Sequence, residues 1–174
     1  LLLRPSGDRR DVPPVPGWTQ KKSEVSDRSV SDFFCVHPGT GGTCRPWPED
    51  KYVEAIRSVR EKTGLECVVT GGPGEEPIAD RLASQLEGVR SIAGKTSILG
   101  LAAVLKRAKL LIAGSTGTLH LAAAQQTPCV MIEPTPLSQR RIANWEPWMC
   151  PRRSLGATEV CPGCADSDCH QSDV

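Results

Sequence analysis

The sequence predicts an α/β domain in which a doubly wound, Rossmann-like parallel sheet is covered by helices on both faces. Short and almost wholly apolar segments alternate along the chain with longer segments in which apolar residues recur every three or four positions. This alternation is typical of buried parallel strands joined by covering helices. The apolar segments mostly end at glycine-bearing turns. No unit recurs at a fixed period of about 20–50 residues, which argues against a repeat protein.

The first half of the predicted domain contains two strands and two helices. FFCVHPG, beginning at Phe33, predicts a short buried strand that closes on glycine. PEDKYVEAIRSVREKTG predicts a helix that ends at Gly64. The apolar face of this helix is formed by Tyr52, Val53, Ile56 and Val59. LECVVTGG predicts the second strand and EEPIADRLASQLEG the second helix, with an apolar stripe of Ile78, Leu82 and Leu86.

The second half continues the same alternation. VRSIAG predicts a short third strand, and SILGLAAVLKRA predicts a helix with Ser97 as its N-cap. KLLIAG, TGTLHLAAAQQ and PCVMIEP then predict a strand, a helix and a fifth strand. The less periodic residues 134–151, which include Trp145 and Trp148, are expected to form a packed loop or a short helix.

These patterns divide the chain into three parts. Residues 32–150 form the predicted α/β domain. Residues 1–31 are rich in proline and charge, and we interpret them as a linker or a remnant of an N-terminal domain. Residues 151–174 form a predicted cysteine-rich C-terminal tail.

Composition excludes several classes of protein. The 174 residues carry 21 basic and 20 acidic side chains, a net charge of +1 without a basic cluster, so nucleic acid is not an expected partner. No segment approaches the roughly 20 apolar residues of a membrane span. The opening apolar run is too short for a signal peptide. Three of the eight cysteines, Cys35, Cys67 and Cys129, lie in apolar segments as small buried hydrophobes would. A reducing, cytoplasmic environment is therefore expected.

The loops that follow the first four strands hold most of the small residues of the domain. They are HPGTGGTCRPWP, TGGPGEE, AGKTS and GSTGTLH, at residues 37–48, 70–76, 93–97 and 114–120. Ligands of open parallel sheets bind at the carboxyl ends of strands, where helix N-termini offer unpaired N–H groups to anions. The last loop, with His120 one turn into its helix, therefore predicts a phosphate site. The alternative is a simple N-cap by Ser115 or Thr116 beside a half-buried His120.

Three common motifs are absent. The third glycine of a dinucleotide fingerprint would fall on Cys44, and the first glycine of a P-loop ending in GKT would fall on Val89. The nucleophile elbow G-x-S-x-G is missing because Ser115 directly follows Gly114. An ordinary NAD site, a P-loop NTPase and an α/β-hydrolase are thereby excluded.

The succession HPGTGGTCRPWPEDKYVEAI, VVTGGPGEE, IAGKTSILGLAAVLKRAKLLIAGSTGTLHLAAA and TPCVMIEPTP resembles glycosyltransferase family 9, the ADP-heptose:lipopolysaccharide heptosyltransferases. The likeness runs from about Phe33 to Pro136. It implies one half of a GT-B architecture, the C-terminal domain that binds the nucleotide-sugar donor. The acceptor domain and its aspartate base would lie outside this chain, so no catalytic residue is expected here and the chain alone should not transfer sugar.

The resemblance also implies a set of donor-binding residues: Gly39, Thr40, Arg45, Glu75, Thr96, Ser115, Thr116, Gly117 and His120. In the family, the loops of positions 39–45 and 116–120 contact the diphosphate, and a cation such as Arg45 would neutralise the leaving group. Glu75 resembles the ribose-binding carboxylate, and Thr96 falls where the nucleobase edge is met. The alternatives are a solvated Arg45 and a Glu75 that only favours its helix dipole.

Two positions depart from the family pattern. Ser115 stands where the family usually has a donor-contacting aspartate, and Glu133 stands where it tends to have glycine. Ser115 can donate a hydrogen bond but brings no charge. A divergent donor and a degenerate enzyme are both consistent with these changes.

The tail raises a separate hypothesis. Cys161, Cys164, Cys169 and His170 have a spacing compatible with zinc. A loosely packed or disordered tail is the alternative, and it is the interpretation we adopt, so no metal is expected.

The function expected from the resemblance is inverting, metal-independent transfer of heptose from ADP-heptose to a lipid-linked saccharide of the lipopolysaccharide type. No cofactor is expected. The protein would be cytoplasmic or peripheral at the inner face of the membrane, and its acceptor would bind through the N-terminal domain. The alternatives are a non-catalytic or decayed nucleotide-sugar-binding module and, third, a GT-B nucleotide-sugar 2-epimerase, against which the HPG…WP loop argues.

Overall fold

A six-stranded, wholly parallel sheet forms the centre of the computed structural model, which describes residues 32–41, 46–133 and 145–156. The strands are β1 Phe33–His37, β2 Glu66–Val69, β3 Val89–Ser91, β4 Leu111–Ala113, β5 Cys129–Glu133 and β6 Arg152–Gly156. The helices are α1 Glu49–Thr63, α2 Glu76–Ser84, α3 Ile98–Arg107 and α4 Gly117–Ala124. The strand order β3-β2-β1-β4-β5-β6 reverses direction beside β1, as in doubly wound sheets.

The core consists of two clusters, one on each face of the sheet. Alternate residues of β1 divide between them, since Phe33 and Cys35 belong to one cluster and Phe34 and Val36 to the other. The first cluster packs under α3 and α4, and the second packs under α1 and α2. Both faces are thus covered, which explains why the inner strands β1, β2, β4 and β5 are largely apolar. The predicted fold class is confirmed.

Local signals in the sequence fix several ends of the elements. Gly64 ends α1 in the left-handed conformation at φ 71°, and its N–H donates to Arg60 O. Ser97 caps α3 by accepting a hydrogen bond from Gly100 N at 3.1 Å. Cys35 and Cys67 are buried as predicted. Burial raises the pKa of the Cys35 thiol to about 12, so this group packs as a neutral apolar side chain.

The sheet extends beyond the domain end predicted at residue 150, because β6 at Arg152–Gly156 pairs in parallel with β5. The sequence RRSLG carries no strand signal, since an edge strand with mostly exposed side chains needs no apolar run. Of the segment expected to form a packed loop or a short helix, residues 134–144 lie outside the described residues. Trp145 and Trp148, which follow them, are 55% and 76% exposed.

None of the helices within the described ranges is both long and apolar enough to cross a membrane.

Candidate functional site

A cavity of about 750 Å³ lies at the carboxyl edge of the sheet. We call it the carboxyl-edge cavity. All four glycine-bearing loops contribute to its lining, which includes Thr40, Gly72, Thr96 and Thr116 from successive loops. The end of β5 adds Glu133. The convergence follows from the topology, because the carboxyl ends of parallel strands meet at one edge.

The structure brings most of the predicted site residues together. The cavity is lined by Thr40, Glu75, Thr96, Ser115, Thr116, Gly117 and His120. Gly39 is buried and is not among the described residues that line the cavity. Arg45 lies outside the described residues, as do the four candidates for zinc, Cys161, Cys164, Cys169 and His170.

The N-terminus of α4 faces the cavity without a side-chain cap. Thr116 occupies the N-cap with extended backbone, but its side chain makes no capping hydrogen bond. Thr116 Oγ1 is buried and has no hydrogen-bond partner in the part of the chain that the structure describes. A Cβ added at Gly117 would meet no atom within 4 Å. This helix end therefore offers N–H groups, an unused hydroxyl and open space, the combination that suits an anion. Thr116 is not the simple N-cap of the alternative interpretation.

The N-terminus of α2 is organised by Glu75, which is half-buried. Its carboxylate accepts a hydrogen bond from Gly72 N at 2.7 Å and so holds the loop after β2. A Cβ at Gly39 would overlap this carboxylate. The missing side chain of Gly39 therefore makes room for Glu75, which is a structural reason for glycine at this position.

His37, at the end of β1, is a cavity residue that the sequence analysis did not identify. It is 6% exposed, and its Nδ1 lies 3.0 Å from Thr70 Oγ1. The Thr70 hydroxyl donates to Val36 O at 3.2 Å, which leaves Thr70 Oγ1 to accept the Nδ1 proton of His37. The only signal for His37 in the sequence is a histidine placed directly before Pro-Gly at a strand end.

The other nitrogen of His37 points to the polar side of the cavity. Nε2 lies 3.6 Å from Glu75 Oε2 and 3.4 Å from Thr118 Oγ1. Burial lowers the pKa of His37 below its ordinary value, and the negative charge of Glu75 opposes this effect without cancelling it. At neutral pH the imidazole is therefore uncharged and its Nε2 is an acceptor for the Thr118 hydroxyl.

The charges of the described lining are two carboxylates, Glu75 and Glu133, with no lysine or arginine among these residues. His120 is exposed at the cavity, and its ring centroid is 6.3 Å from that of Trp145. Positive potential in this part of the cavity comes from the N-termini of α2 and α4. An anion bound here would be stabilised by an additional positively charged side chain.

Comparison with known proteins gives one family and a consistent set of relatives. The family model of glycosyltransferase family 9 (heptosyltransferase) matches residues 16–148. Lipopolysaccharide heptosyltransferase 3 of Escherichia coli K12 is 27% identical over 136 residues, which cover 75% of this chain and 38% of that protein. Lipopolysaccharide heptosyltransferase 1 of Pseudomonas aeruginosa is 32% identical over 116 residues, 67% of this chain and 32% of that protein.

The fold is also similar to that of a solved heptosyltransferase. The structure of E. coli heptosyltransferase WaaC with ADP matches with a TM-score of 0.62 at 26% identity, over 73% of this chain and 38% of that one. The chain spans between 32% and 40% of the length of the curated relatives it matches.

Proposed function

Because the chain belongs to glycosyltransferase family 9, as its motifs predicted, we propose that the carboxyl-edge cavity holds the nucleotide-diphospho-sugar donor of a sugar transfer. The observation that carries this proposal is the N-terminus of α4, where the Thr116 hydroxyl is buried without a partner beside open space over Gly117. The donor is ADP-heptose, for which the WaaC structure with ADP gives support by analogy.

Five of the predicted residues have a chemical task in this proposal. The diphosphate binds at the N-terminus of α4, where N–H groups and the Thr116 hydroxyl donate hydrogen bonds. His120 and Arg45 add donors, and Arg45 also supplies the cation that the described lining lacks. Glu75 accepts hydrogen bonds from ribose hydroxyls, and backbone atoms near Thr96 meet the nucleobase edge.

The reaction is an inverting displacement. An acceptor oxygen forms a bond to the anomeric carbon while the bond from that carbon to the diphosphate breaks, and a carboxylate base takes the acceptor proton. Negative charge grows on the leaving diphosphate, so donors already aimed at it lower the barrier. The helix N-termini and Arg45 meet this need without a metal ion.

The acceptor and the base belong to the remainder of a longer protein in this proposal, because the chain corresponds to a third to two fifths of its curated relatives. The acceptor is a lipid-linked saccharide of the lipopolysaccharide type, reached at the cytoplasmic face of the membrane. The chain alone is expected to bind the donor and not to transfer its sugar.

A thermal-shift experiment with ADP, UDP and GDP tests the proposal. A ligand present at about 100 times its Kd stabilises a domain by about 2.7 kcal/mol, which is roughly 5–10 °C for a chain of this size. ADP should give the largest shift. Thr116→Val should reduce it, whereas Thr63→Val, at the exposed end of α1, should not. No shift with any of the three nucleotides at millimolar concentration would overturn the proposal.

A second candidate is a nucleotide-sugar-binding module without catalytic activity, and the serine at position 115 favours it. The two candidates differ in the complete protein, including the remainder of the reading frame. Release of ADP from ADP-heptose in the presence of a lipopolysaccharide acceptor identifies the enzyme. Binding of ADP-heptose without release of ADP identifies the decayed module, provided that Ser115→Asp restores the release.

A further inference from the structure

A carboxylate lies beside Ser115 on the adjacent strand. β4 and β5 pair in parallel with Ala113 opposite Met131. Continued two residues further, this register brings Ser115 opposite Glu133. The two backbone segments stay close beyond the last paired residues, because a Cβ at Gly114 would lie 3.6 Å from Ile132 O.

The side chain of Glu133 belongs to the face of the sheet that α4 covers. Cys129 and Met131 are in the cluster under α3 and α4, and residues two apart on a strand share a face. Glu133 is only 7% exposed and still lines the carboxyl-edge cavity together with Ser115, Thr116 and His120. It therefore lies at the end of β5, on the face of the sheet that α4 covers.

The chemistry of a carboxylate limits what it can recognise there. An ionised carboxylate accepts hydrogen bonds and donates none, so it repels phosphate oxygens but binds hydroxyl groups. With a diphosphate at the N-terminus of α4, the sugar attached to it is the nearest source of such hydroxyls. Ser115 has no charge with which to do the same.

We propose that Glu133, on the strand next to Ser115, determines the specificity for the donor sugar. Its carboxylate accepts hydrogen bonds from the hydroxyl groups of that sugar. The inference rests on the proposed function, because it assumes a nucleotide diphosphate at α4. It assigns the sugar end of the donor to β5 and the phosphate end to α4. The carboxylate absent at position 115 is thus supplied across the β4–β5 pair.

Calorimetric titration of the 174-residue chain with ADP and with ADP-heptose tests this inference. Glu133→Gln should weaken ADP-heptose binding by about tenfold or more, the size expected for a charge-assisted hydrogen bond. ADP binding should stay within about twofold of the parent or become tighter, because a negative charge has been removed. Glu87→Gln, an exposed carboxylate after α2, is the matched control and should change neither affinity.

Moving the carboxylate from position 133 to position 115 provides the second test. Glu133→Gly should lose the preference for ADP-heptose over ADP, and Ser115→Asp combined with Glu133→Gly should restore it. Equal weakening of both ligands by Glu133→Gln would assign Glu133 a structural role and overturn the inference. An unchanged preference in Glu133→Gln, or no recovery in the double variant, would overturn it too. If the parent chain binds neither ligand, the proposed function itself has failed.

Discussion

At the scale of single residues, the site is organised by side chains that are distant in sequence. His37 contacts Thr70, Thr118 and Glu75, which lie on three different elements or loops. Glu75 in turn lies where a side chain at Gly39 would be. Burial keeps the His37 imidazole neutral against the opposing charge of Glu75, and the contacts of Glu75 with Gly72 and His37 fix its carboxylate in the cavity lining.

The protonation of His37 leads to a pH prediction. The folded-state pKa lies below the unfolded value near 6.5, so below that pH the unfolded chain binds a proton that the folded chain resists. The contribution of His37 to the free energy of unfolding is fully present above pH 6.5. It is lost as the pH falls towards the folded-state pKa, by at most about 1.4 kcal/mol per pH unit. His37→Gln should remove this part of the slope.

Urea denaturation of the parent and of His37→Gln between pH 7.5 and 5 measures the effect. As the pH falls, the free energy of unfolding of the parent should decrease more than that of His37→Gln. Carboxylates elsewhere titrate in both proteins, and their contributions cancel in the difference. Parallel curves would show that His37 is not held neutral by its surroundings.

The sequence predicted the individual site residues unevenly, for a physical reason. Thr116, Gly117 and His120 lie in one short loop and helix turn, so a local pattern is enough to associate them. The contact between His37 and Thr118 joins residues 81 positions apart. Such a pair depends on sheet order, which no local pattern contains. The same holds for Ser115 and Glu133, since only the β4–β5 register brings them together.

At the scale of elements, the N-terminus of α4 separates a folding role from a binding role. Gly117 is the first residue of α4, and a Cβ there meets nothing within 4 Å. Alanine favours a helix over glycine by up to about 1 kcal/mol. Gly117→Ala should therefore leave the melting temperature of the unliganded chain unchanged or raise it.

The same substitution should weaken binding of ADP on the order of tenfold, because the methyl group occupies the space proposed for the diphosphate. Thr63→Ala, at the exposed end of α1, is the control, because it introduces alanine into a helix at a residue that does not line the cavity. Calorimetric titration gives both affinities. Equal affinity of Gly117→Ala and the parent for ADP would show that the diphosphate does not bind at the N-terminus of α4.

The elements themselves show why one of them was not predicted. β1, β2, β4 and β5 carry largely continuous apolar patterns and α1 to α4 carry apolar faces, because each buries one face or both faces, and β3 packs Val89 against the core. β6 pairs with β5 on one side only, and its sequence RRSLG is mostly exposed. An edge strand specified by backbone pairing has no side-chain signature to detect.

At the scale of the whole domain, β6 determines where the folding unit ends. It pairs with every residue of β5, from Cys129 to Glu133, and Cys129 N also donates to Pro151 O at 2.9 Å. Without β6, the apolar strand CVMIE would become an exposed edge, which destabilises a sheet and promotes association between chains. The end of β5 also holds Glu133, so the carboxyl-edge cavity would lose a fixed wall.

We therefore expect chains that end at residues 150 and 156 to behave differently. The shorter chain loses several backbone hydrogen bonds, each worth about 0.5–1.5 kcal/mol, and should melt roughly 10 °C lower than the longer one. It should also elute as aggregates or higher oligomers in size-exclusion chromatography at concentrations where the longer chain does not. Calorimetric melting of both chains at matched concentration makes the comparison. Equal melting temperatures and equal elution would show that the cooperative unit ends at β5 and that β6 only rests against it.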